Sequence, residues 1–440
     1  WAAENIDFGI IGWGDSGMDR AWEEMNKNEI KGNWLKWRLA HLFNTYETAG
    51  TCDAPKRGDV DQSFAYQTAE LAEFLSAYPA YGDGEGCFLH TNNAGTIRPR
   101  WHAMGCEVEL ETESGARLES LVWSEYGWQF DVSSDCTKDF IAWRTIKDIE
   151  EEGRGGIGFD NLGSPLSDNY YLPEQVDPVD IAEIPDGIEY QGGSYNESYI
   201  NDNWYFPAVE ELLEYVAGKV QAYNSSKSIV YNGASYCSWK GGPYNKLKNI
   251  AAPGLGIWCE DALQYPSWGW FDDDDRMSAL IELSSAVSSK DGFMVHESFY
   301  NGGSSDPTAP EVMFYLASHY IYRNQNDVLA IKPDWNPYSL LSQVTWFDVF
   351  SRDIGMPTGP PTTLANGVFK RDYKAANGTK ALVLSRVDGD NGNTINYTLN
   401  KTYCRVDADN DLRQVSRSIG LKSGDGIILL EQGQGGITCN

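Results

Sequence analysis

Five short apolar runs in this chain each close on a carboxylate or an amide: 127–131 (GWQFD), 156–160 (GIGFD), 228–232 (SIVYN), 256–260 (GIWCE) and 292–297 (GFMVHE). A continuous apolar run of this length reads as a strand buried on both faces, which is the habit of parallel sheets. In such sheets the polar residue that ends a strand stands at the rim, where chemistry collects. The pattern therefore constrains both fold and function.

The spacing around these runs supports an alternation of strands and helices. A strand is expected over 7–13 and a helix over 18–28. A second strand signal lies within 35–46, and an amphipathic helix covers 63–78, with Phe64, Ala65, Ala69, Leu71, Ala72 and Leu75 on one stripe. Residues 79–127 read as irregular, a long loop with a small excursion. Regularity returns with a strand over 127–132 and a helix over 137–151, capped by Ser134 or Asp135 and stopped at Gly153. A strand over 157–159 and a long loop over 161–203 follow. Then come a helix over 207–223, the strand 228–232, a short helical stretch near 243–250 and a strand over 254–260. A helix over 274–288, a strand over 292–297 and a helix over 309–323 complete the run, with an eighth strand at 327–331 or 344–347. About eight strand–helix units predict a (β/α)8 TIM barrel with loop insertions over residues 1–358. A doubly wound sheet lacks its signature, because no GxGxxG turn follows the first strand. Proline and glycine cluster over 355–366, and the texture then changes to short alternating segments. Residues 367–440 are read as a small antiparallel β-domain.

Bulk chemistry narrows the partners. A net charge of −30 repels nucleic acid and anionic membrane surfaces, so neither is an expected partner. No apolar stretch is long enough to span a bilayer. Aromatic residues make up 13% of the chain, including 16 Trp and 25 Tyr. Most of these belong in a core, but they are also the side chains that stack on the apolar faces of sugar rings.

The eight cysteines show no CxxC or Cys/His spacing, which disfavours zinc and favours disulfides, with Cys404–Cys439 the first pairing expected. Five N-x-S/T sequons begin at Asn196, Asn224, Asn377, Asn396 and Asn400. Together these features suggest the mature form of a secreted eukaryotic glycoprotein. The chain holds no GxSxG, HExxH or GxxxxGK[ST]. The acidic run 272–275 reads as a solvated helix cap rather than a calcium loop. Neither a metal nor a cofactor is expected, and the chain is expected to be a monomer.

Strand-end carboxylates converging in a bowl are what glycoside hydrolysis requires. One carboxyl delivers a proton to the leaving oxygen, and the other attacks the anomeric carbon or activates water. Asp160, with Asn161 beside it, is the candidate nucleophile. Glu260, approached through Ile257-Trp258-Cys259, is the candidate proton donor, with Glu297 as its competitor. Asp131, Asn161, Asn232, His296 and Glu297 are candidates for sugar hydroxyls. Trp13, Tyr46, Trp128 and Trp258 are candidates for stacking. Each also has a structural reading: Asp160 as a turn residue, Asp131 as a helix cap, Glu260 as a loop start, His296 as a satisfied rim residue.

The order WQFDVSSDCTKDFIAWRTIKDIEEEGRGGIGFDN, SIVYNG, GIWCE, VFKRDY…ALVL and SGDGIILL, preceded by CFLHTNNAGTIRP, resembles secreted glycoside hydrolases with a (β/α)8 barrel and a C-terminal β-sandwich. Its Asp-Asn strand is similar to that of retaining α-galactosidase-type barrels, in which the corresponding Asp is the nucleophile. The resemblance implies that role for Asp160 and favours an α-linkage. Those enzymes use an Asp donor on a later strand, where this chain offers Glu260.

The expected activity is thus a retaining double displacement on a neutral or cationic polysaccharide or oligosaccharide. Two rivals remain: a non-catalytic carbohydrate-binding barrel, and a polysaccharide lyase, which would need cationic groups against a uronate.

Overall fold

The structure, a computed structural model, describes residues 9–11, 34–38, 42–44, 66, 68–91, 95–97, 110–112, 114–122, 125–159, 182–183, 185, 190–191, 194–195, 200–232, 250–259, 263, 274–300, 308–333, 347–387 and 393–439. The fold is mixed α/β, with parallel strands and separate antiparallel sheets. Two compact units divide the chain: Trp1–Gly233 with Asn249–Gly256, and Ala234–Lys248 with Ile257–Asn440.

In the first unit, the parallel strands Gly9–Ile11 (β1), Trp34–Arg38 (β2), Gly156–Phe159 (β3) and Ser228–Asn232 (β4) lie side by side in chain order. Arg38 and Tyr231 both pair with Phe159, so β2 and β3 end level and β4 runs one residue further, to Asn232. An open doubly wound sheet reverses its strand order, and these strands do not. Leu255–Cys259 (β5) begins in this unit and ends in the second.

Among the described residues, three α-helices belong to this unit: Thr68–Ala77 (α1), Asp135–Glu152 (α2) and Phe206–Tyr223 (α3). Ser134 Oγ accepts the Cys136 N–H at 3.1 Å and caps α2, and Gly153 ends it at φ 67°, a left-handed conformation that glycine adopts without strain. In α3, Val209, Leu212, Leu213, Val216, Ala217 and Val220 form the buried stripe. An aromatic cluster packs α1 against α2. Phe74 meets Tyr78, Tyr81, Phe140 and Trp143, and Phe140 also meets Tyr66 and Phe130.

The structure corrects two readings here. Residues 79–127 are not merely irregular: Gly95–Ile97 pairs with Leu110–Thr112, and Glu119–Val122 pairs with Glu125–Gln129. The expected strand at 127–132 belongs to this antiparallel system, since Glu125–Gln129 also pairs antiparallel with Leu42–Asn44. Its alternating sequence, EYGWQ, is the signature of a strand with two unlike faces. The Cys87–Cys136 disulfide ties this region to the first turn of α2. Closing a loop of 49 residues stabilises the fold by about 4 kcal/mol in the chain-entropy account. The helix expected at 18–28 lies outside the described residues, as do most of the helical stretch near 243–250 and most of the alternative eighth strand at 344–347.

In the second unit, β5 is followed by Asp274–Ser288 (α4), Phe293–Tyr300 (β6), Ala309–Tyr322 (α5) and Val328–Pro333 (β7). Strands β5, β6 and β7 again lie in chain order, with β6 and β7 parallel. Strand β6 does not stop at Glu297. Ser298, Phe299 and Tyr300 continue to pair with Ile331, Lys332 and Pro333.

The C-terminal stretch forms an antiparallel sheet ordered Met356–Pro357, Val368–Lys374 (β8), Lys380–Arg386 (β9), Gly426–Glu431 (β12), Tyr403–Val406 (β10), Leu412–Val415 (β11). Val368, Leu382, Leu384, Ile427 and Leu429 form a core with Leu399, Ile419 and Leu421. These last residues come from the antiparallel pair Ile395–Thr398 and Ser418–Leu421, with Leu399 just beyond the first strand. The expected Cys404–Cys439 disulfide is present, with Cα atoms 5.5 Å apart. The opposite side of the sheet packs on α5.

Among the described residues, no helix is long and apolar enough to cross a membrane.

The contact between α5 and β12 is close enough to test. A Cβ at Gly426 would lie 2.0 Å from the Met313 carbonyl oxygen, a backbone atom that cannot swing aside. Gly426→Ala is expected to cost about 3 kcal/mol through overpacking. Urea unfolding checks it: the midpoint should fall with little change in slope.

Candidate active site

The candidate residues divide between the two units, and each is described within its own. In the first unit, Asn232 is the last residue of β4 and is 3% exposed. The preceding Tyr231 sends its hydroxyl to the Ile250 carbonyl at 3.4 Å and lies near Glu210 of α3, which places its ring on the helix side of the sheet. Burial pushes that phenol well above its ordinary value. Successive side chains alternate along a strand, so Asn232 is directed to the opposite face. Phe159, the end of β3, pairs with Tyr231. The next residue in sequence is Asp160, which lies outside the described residues, as do Asn161, Trp13 and Tyr46.

Asp131 lies in the turn between the antiparallel strand and α2 and is 7% exposed. Its Oδ1 accepts the Ser133 N–H at 2.9 Å and the Ser133 hydroxyl at 2.6 Å. Burial raises its pKa and the charge of Glu183 adds to this. The two bonds from Ser133 and the charge of Lys138 oppose the rise without cancelling it.

Trp128 takes part in a cation–π contact shared with Phe88, whose ring stands edge-on to it. The Arg117 guanidinium carbon lies 4.1 Å from the centroids of both Trp128 and Phe88. Arg117 also holds Glu85 in a two-bonded ion pair, which keeps that carboxyl below its ordinary range. His90, which the spacing of the sequence did not single out, faces two carboxylates: Glu183 at 2.6 Å from Nδ1 and Glu85 at 3.3 Å from Nε2. Its backbone also accepts from the Ala182 N–H and donates to Glu183. This network fastens residues 182–183 to the antiparallel region.

In the second unit, the structure joins two candidates directly. The Trp258 indole N–H on β5 donates to Glu297 Oε2 on β6 at 2.9 Å. Glu297 is 4% exposed, and it pairs in register with Ala330 of β7. Its neighbour His296 is fully buried and faces the helices: its ring lies 5.5 Å from His319 and 4.4 Å from Tyr322, both on α5. Alternation therefore turns Glu297 to the face away from α5. Asp327 stands 3.8 Å from His296 Nε2 and also receives the Ser284 hydroxyl, the Met294 N–H and the Asn324 N–H. Burial would raise the Asp327 pKa, but His296 and these donors outweigh it and hold it low. Burial, with His296 and Arg323 nearby, drives His319 well below the usual imidazole range. Glu260 lies outside the described residues.

Among the described residues no group of three or more His, Cys, Asp or Glu side chains has the arrangement of a metal site.

No family model matches the chain, and no curated protein matches it either. Among solved structures it is similar to a GH27 β-L-arabinopyranosidase from Geobacillus stearothermophilus, at 11% identity and a TM-score of 0.41, over 72% of this chain and 66% of that one. It is also similar to a maltogenic α-amylase, AmyB, from Thermotoga neapolitana, at 9% identity and a TM-score of 0.45, over 94% of this chain and 81% of that one. A pullulanase from Bacillus acidopullulyticus matches at 8% identity and a TM-score of 0.42, over 73% of this chain and 43% of that one. The chain thus spans less than half of the pullulanase and just under two thirds of the arabinopyranosidase.

The raised pKa of Asp131 sets a pH dependence of stability. The folded chain holds the Asp131 proton to a higher pH than the unfolded chain does. Its stabilising effect is complete below the unfolded-state value and is lost as pH rises through the folded value. Asp131→Asn keeps an oxygen acceptor for Ser133 and removes the charge. In calorimetric melts the variant should exceed the parent near pH 7, and the difference should close toward about pH 4, the ordinary Asp range.

Proposed function

We propose that this protein is a secreted, monomeric glycoside hydrolase that cleaves a neutral or cationic polysaccharide or oligosaccharide with retention of configuration. Residues 1–358 would form the closed (β/α)8 barrel and residues 367–440 the antiparallel β-domain. The observation that carries the reading is the buried Glu297, held by Trp258 on the face of the parallel strands turned away from α5. A carboxylate buried there costs desolvation and is a functional-site candidate on physical grounds. Chain-order parallel strands support the barrel, and Asn232 supports a second polar position at a strand end.

In this mechanism the Asp160 carboxylate attacks the anomeric carbon while Glu260 passes its proton to the departing oxygen. Glu260, now ionised, takes a proton from water as that water attacks the same carbon, and Asp160 leaves as the carboxylate. Asn161 and Asn232 bind sugar hydroxyls, and Asp131 backs the rim. Trp13 and Tyr46 supply stacking surfaces, and Trp128 offers whatever ring area Arg117 leaves free. Glu297 acts as a hydroxyl acceptor oriented by the Trp258 N–H, which makes Trp258 a donor as well as a wall. His296 supports this strand from the helix side. The α-linkage follows from the resemblance of the Asp-Asn strand. The disulfides fit an oxidising, extracellular setting.

Asp160→Asn is expected to lower turnover by about three orders of magnitude or more with an unchanged circular dichroism spectrum. The measurement is product formation across purified glycans. Near-native turnover would remove Asp160 from the mechanism, and binding with no turnover by the parent protein would leave a carbohydrate-binding barrel. Products absorbing as unsaturated uronates would instead show a lyase.

The acid is identified separately. Glycosides with good leaving groups need little protonation, so they should restore bond cleavage in Glu260→Gln but not in Asp160→Asn. If Glu297→Gln shows that rescue and Glu260→Gln does not, the two glutamates exchange roles. The anomeric configuration of the first product, read by NMR, should match the substrate's.

A further inference from the structure

The sequons suggest glycosylation in general, and the structure distinguishes among them. At Asn377 the +2 residue, Thr379, is 2% exposed, and a Cβ placed on Gly435 would lie 2.2 Å from its hydroxyl. The C-terminal turn therefore covers that hydroxyl in the folded chain. Asn396 lies within a strand, paired with Gly420. At Asn400 the amide oxygen accepts a bond from Tyr403 at 3.3 Å, a residue outside the sequon.

Asn377, Asn396 and Asn400 are themselves exposed, and Asn377 Oδ1 accepts the Thr379 N–H at 2.9 Å, but Asn224 differs in the bond its amide receives from the sequon hydroxyl. It follows the last residue of α3 in an extended conformation, and Asn224, Ser225 and Ser226 are all exposed. Its Oδ1 accepts the Ser226 hydroxyl at 2.8 Å and the Ser226 N–H at 2.9 Å. Two donors on the amide oxygen draw electron density from the nitrogen and acidify its N–H, which prepares the nitrogen to act as a nucleophile once a base removes the proton.

We infer that Asn224 is an N-glycan acceptor of this protein and, among the four sequons within the described residues, the one whose amide is set up for modification in the folded chain. The reaction joins the Asn224 amide nitrogen to the anomeric carbon of a lipid-linked oligosaccharide diphosphate. The bond between that carbon and the diphosphate oxygen breaks, the lipid diphosphate leaves with the electron pair, and the N–H proton passes to a base. The placement suits an enzyme of the proposed kind. Asn224 precedes the first residue of β4, whereas Asn232 ends that strand. The glycan would stand at the strand-start pole and leave the strand-end pole open. The inference rests on the secretory part of the proposed function.

The test directs the chain into the secretory pathway of an N-glycosylating host. The secreted protein is mapped by mass spectrometry before and after peptide-N-glycosidase treatment in heavy-oxygen water. The Asn224 peptide should carry a glycan and convert to labelled Asp. Asn224→Gln and Ser226→Ala should each remove one glycan mass, Ser226→Thr should keep it, and hydrolytic activity should be unchanged in all three. A bare Asn224 in protein whose Cys404–Cys439 bridge has formed overturns the inference alone. A bare Asn224 in protein with eight free thiols overturns it together with the secretory reading.

Discussion

Helix α5 is the constraint on which the second unit depends. Every residue from Glu311 to Tyr322 is buried, so the helix has no solvent face and must be packed all round. Strands β6 and β7 and helix α4 meet it on one side, and β8, β9 and β12 meet it on another. A helix in that position needs its polar ends satisfied from within. At the N-terminus Glu311 and Thr308 form a capping box. At the C-terminus the Arg371 guanidinium donates to the Ile321 carbonyl at 2.9 Å and to that of Arg323, and the Tyr373 hydroxyl donates to Tyr320. A cation at this end also opposes the negative pole of the helix. Ser318 and Ser385 pair at 2.8 Å across the interface. The antiparallel sheet is therefore joined to α5 by specific bonds as well as by apolar contact.

That packing defines the chemistry available on β6. Because His296 is committed to the α5 side, Glu297 must face the other way. The burial of one residue thus aims the next. The Trp258 indole then limits how Glu297 can turn. A side chain aimed by backbone alternation and held by a neighbouring strand is more rigidly placed than one on a loop, and rigid placement is what substrate orientation demands.

The sustained patterns in the sequence translate directly into structure. The run SIVYN gives a strand over the same residues, and the periodicity over 274–288 gives a helix with the same bounds. Ser134 is legible as a cap and Gly153 as a stop, because both act within one turn. The region 79–127 is less legible because its strands are only three to five residues long, and Glu125–Gln129 also takes a partner far back in the chain, Leu42–Asn44. Period-two alternation needs more residues than that to declare itself. The end of β6 was obscured for a related reason. A glutamate inside a strand looks like a terminator when the partner strand is unseen. Among the candidate site residues, strand-end logic singles out Asn232, which does end β4, and Glu297, which lies inside β6 rather than at its end. It cannot reach the His90–Glu183 pair, whose members are separated by 93 residues and carry no motif spacing. The Cys404–Cys439 pair was readable because both cysteines fall in one short module. Cys87–Cys136 was not, because it joins an irregular stretch to a helix.

The His296–Asp327 pair shows why a buried acid beside a histidine is not by itself a catalytic device. Asp327 Oδ1 takes the Met294 N–H, and its Oδ2 takes the Asn324 N–H and the Ser284 hydroxyl. Both oxygens are thus committed to donors fixed by the backbone or by α4. The charge is stabilised where it stands, as the lowered pKa reflects, and neither oxygen is directed at a substrate. Its partner is equally confined, being fully buried against His319 and Tyr322. Such a pair orders the space between β6, α4 and α5. Glu297 differs in the direction it faces and in the neighbour that holds it, a side-chain indole on an adjacent strand. Two acidic residues in one unit, both nearly inaccessible, are thereby sorted into an internal fastening and a candidate for chemistry. The sorting follows from which face of the strand each addresses and which donors each has accepted.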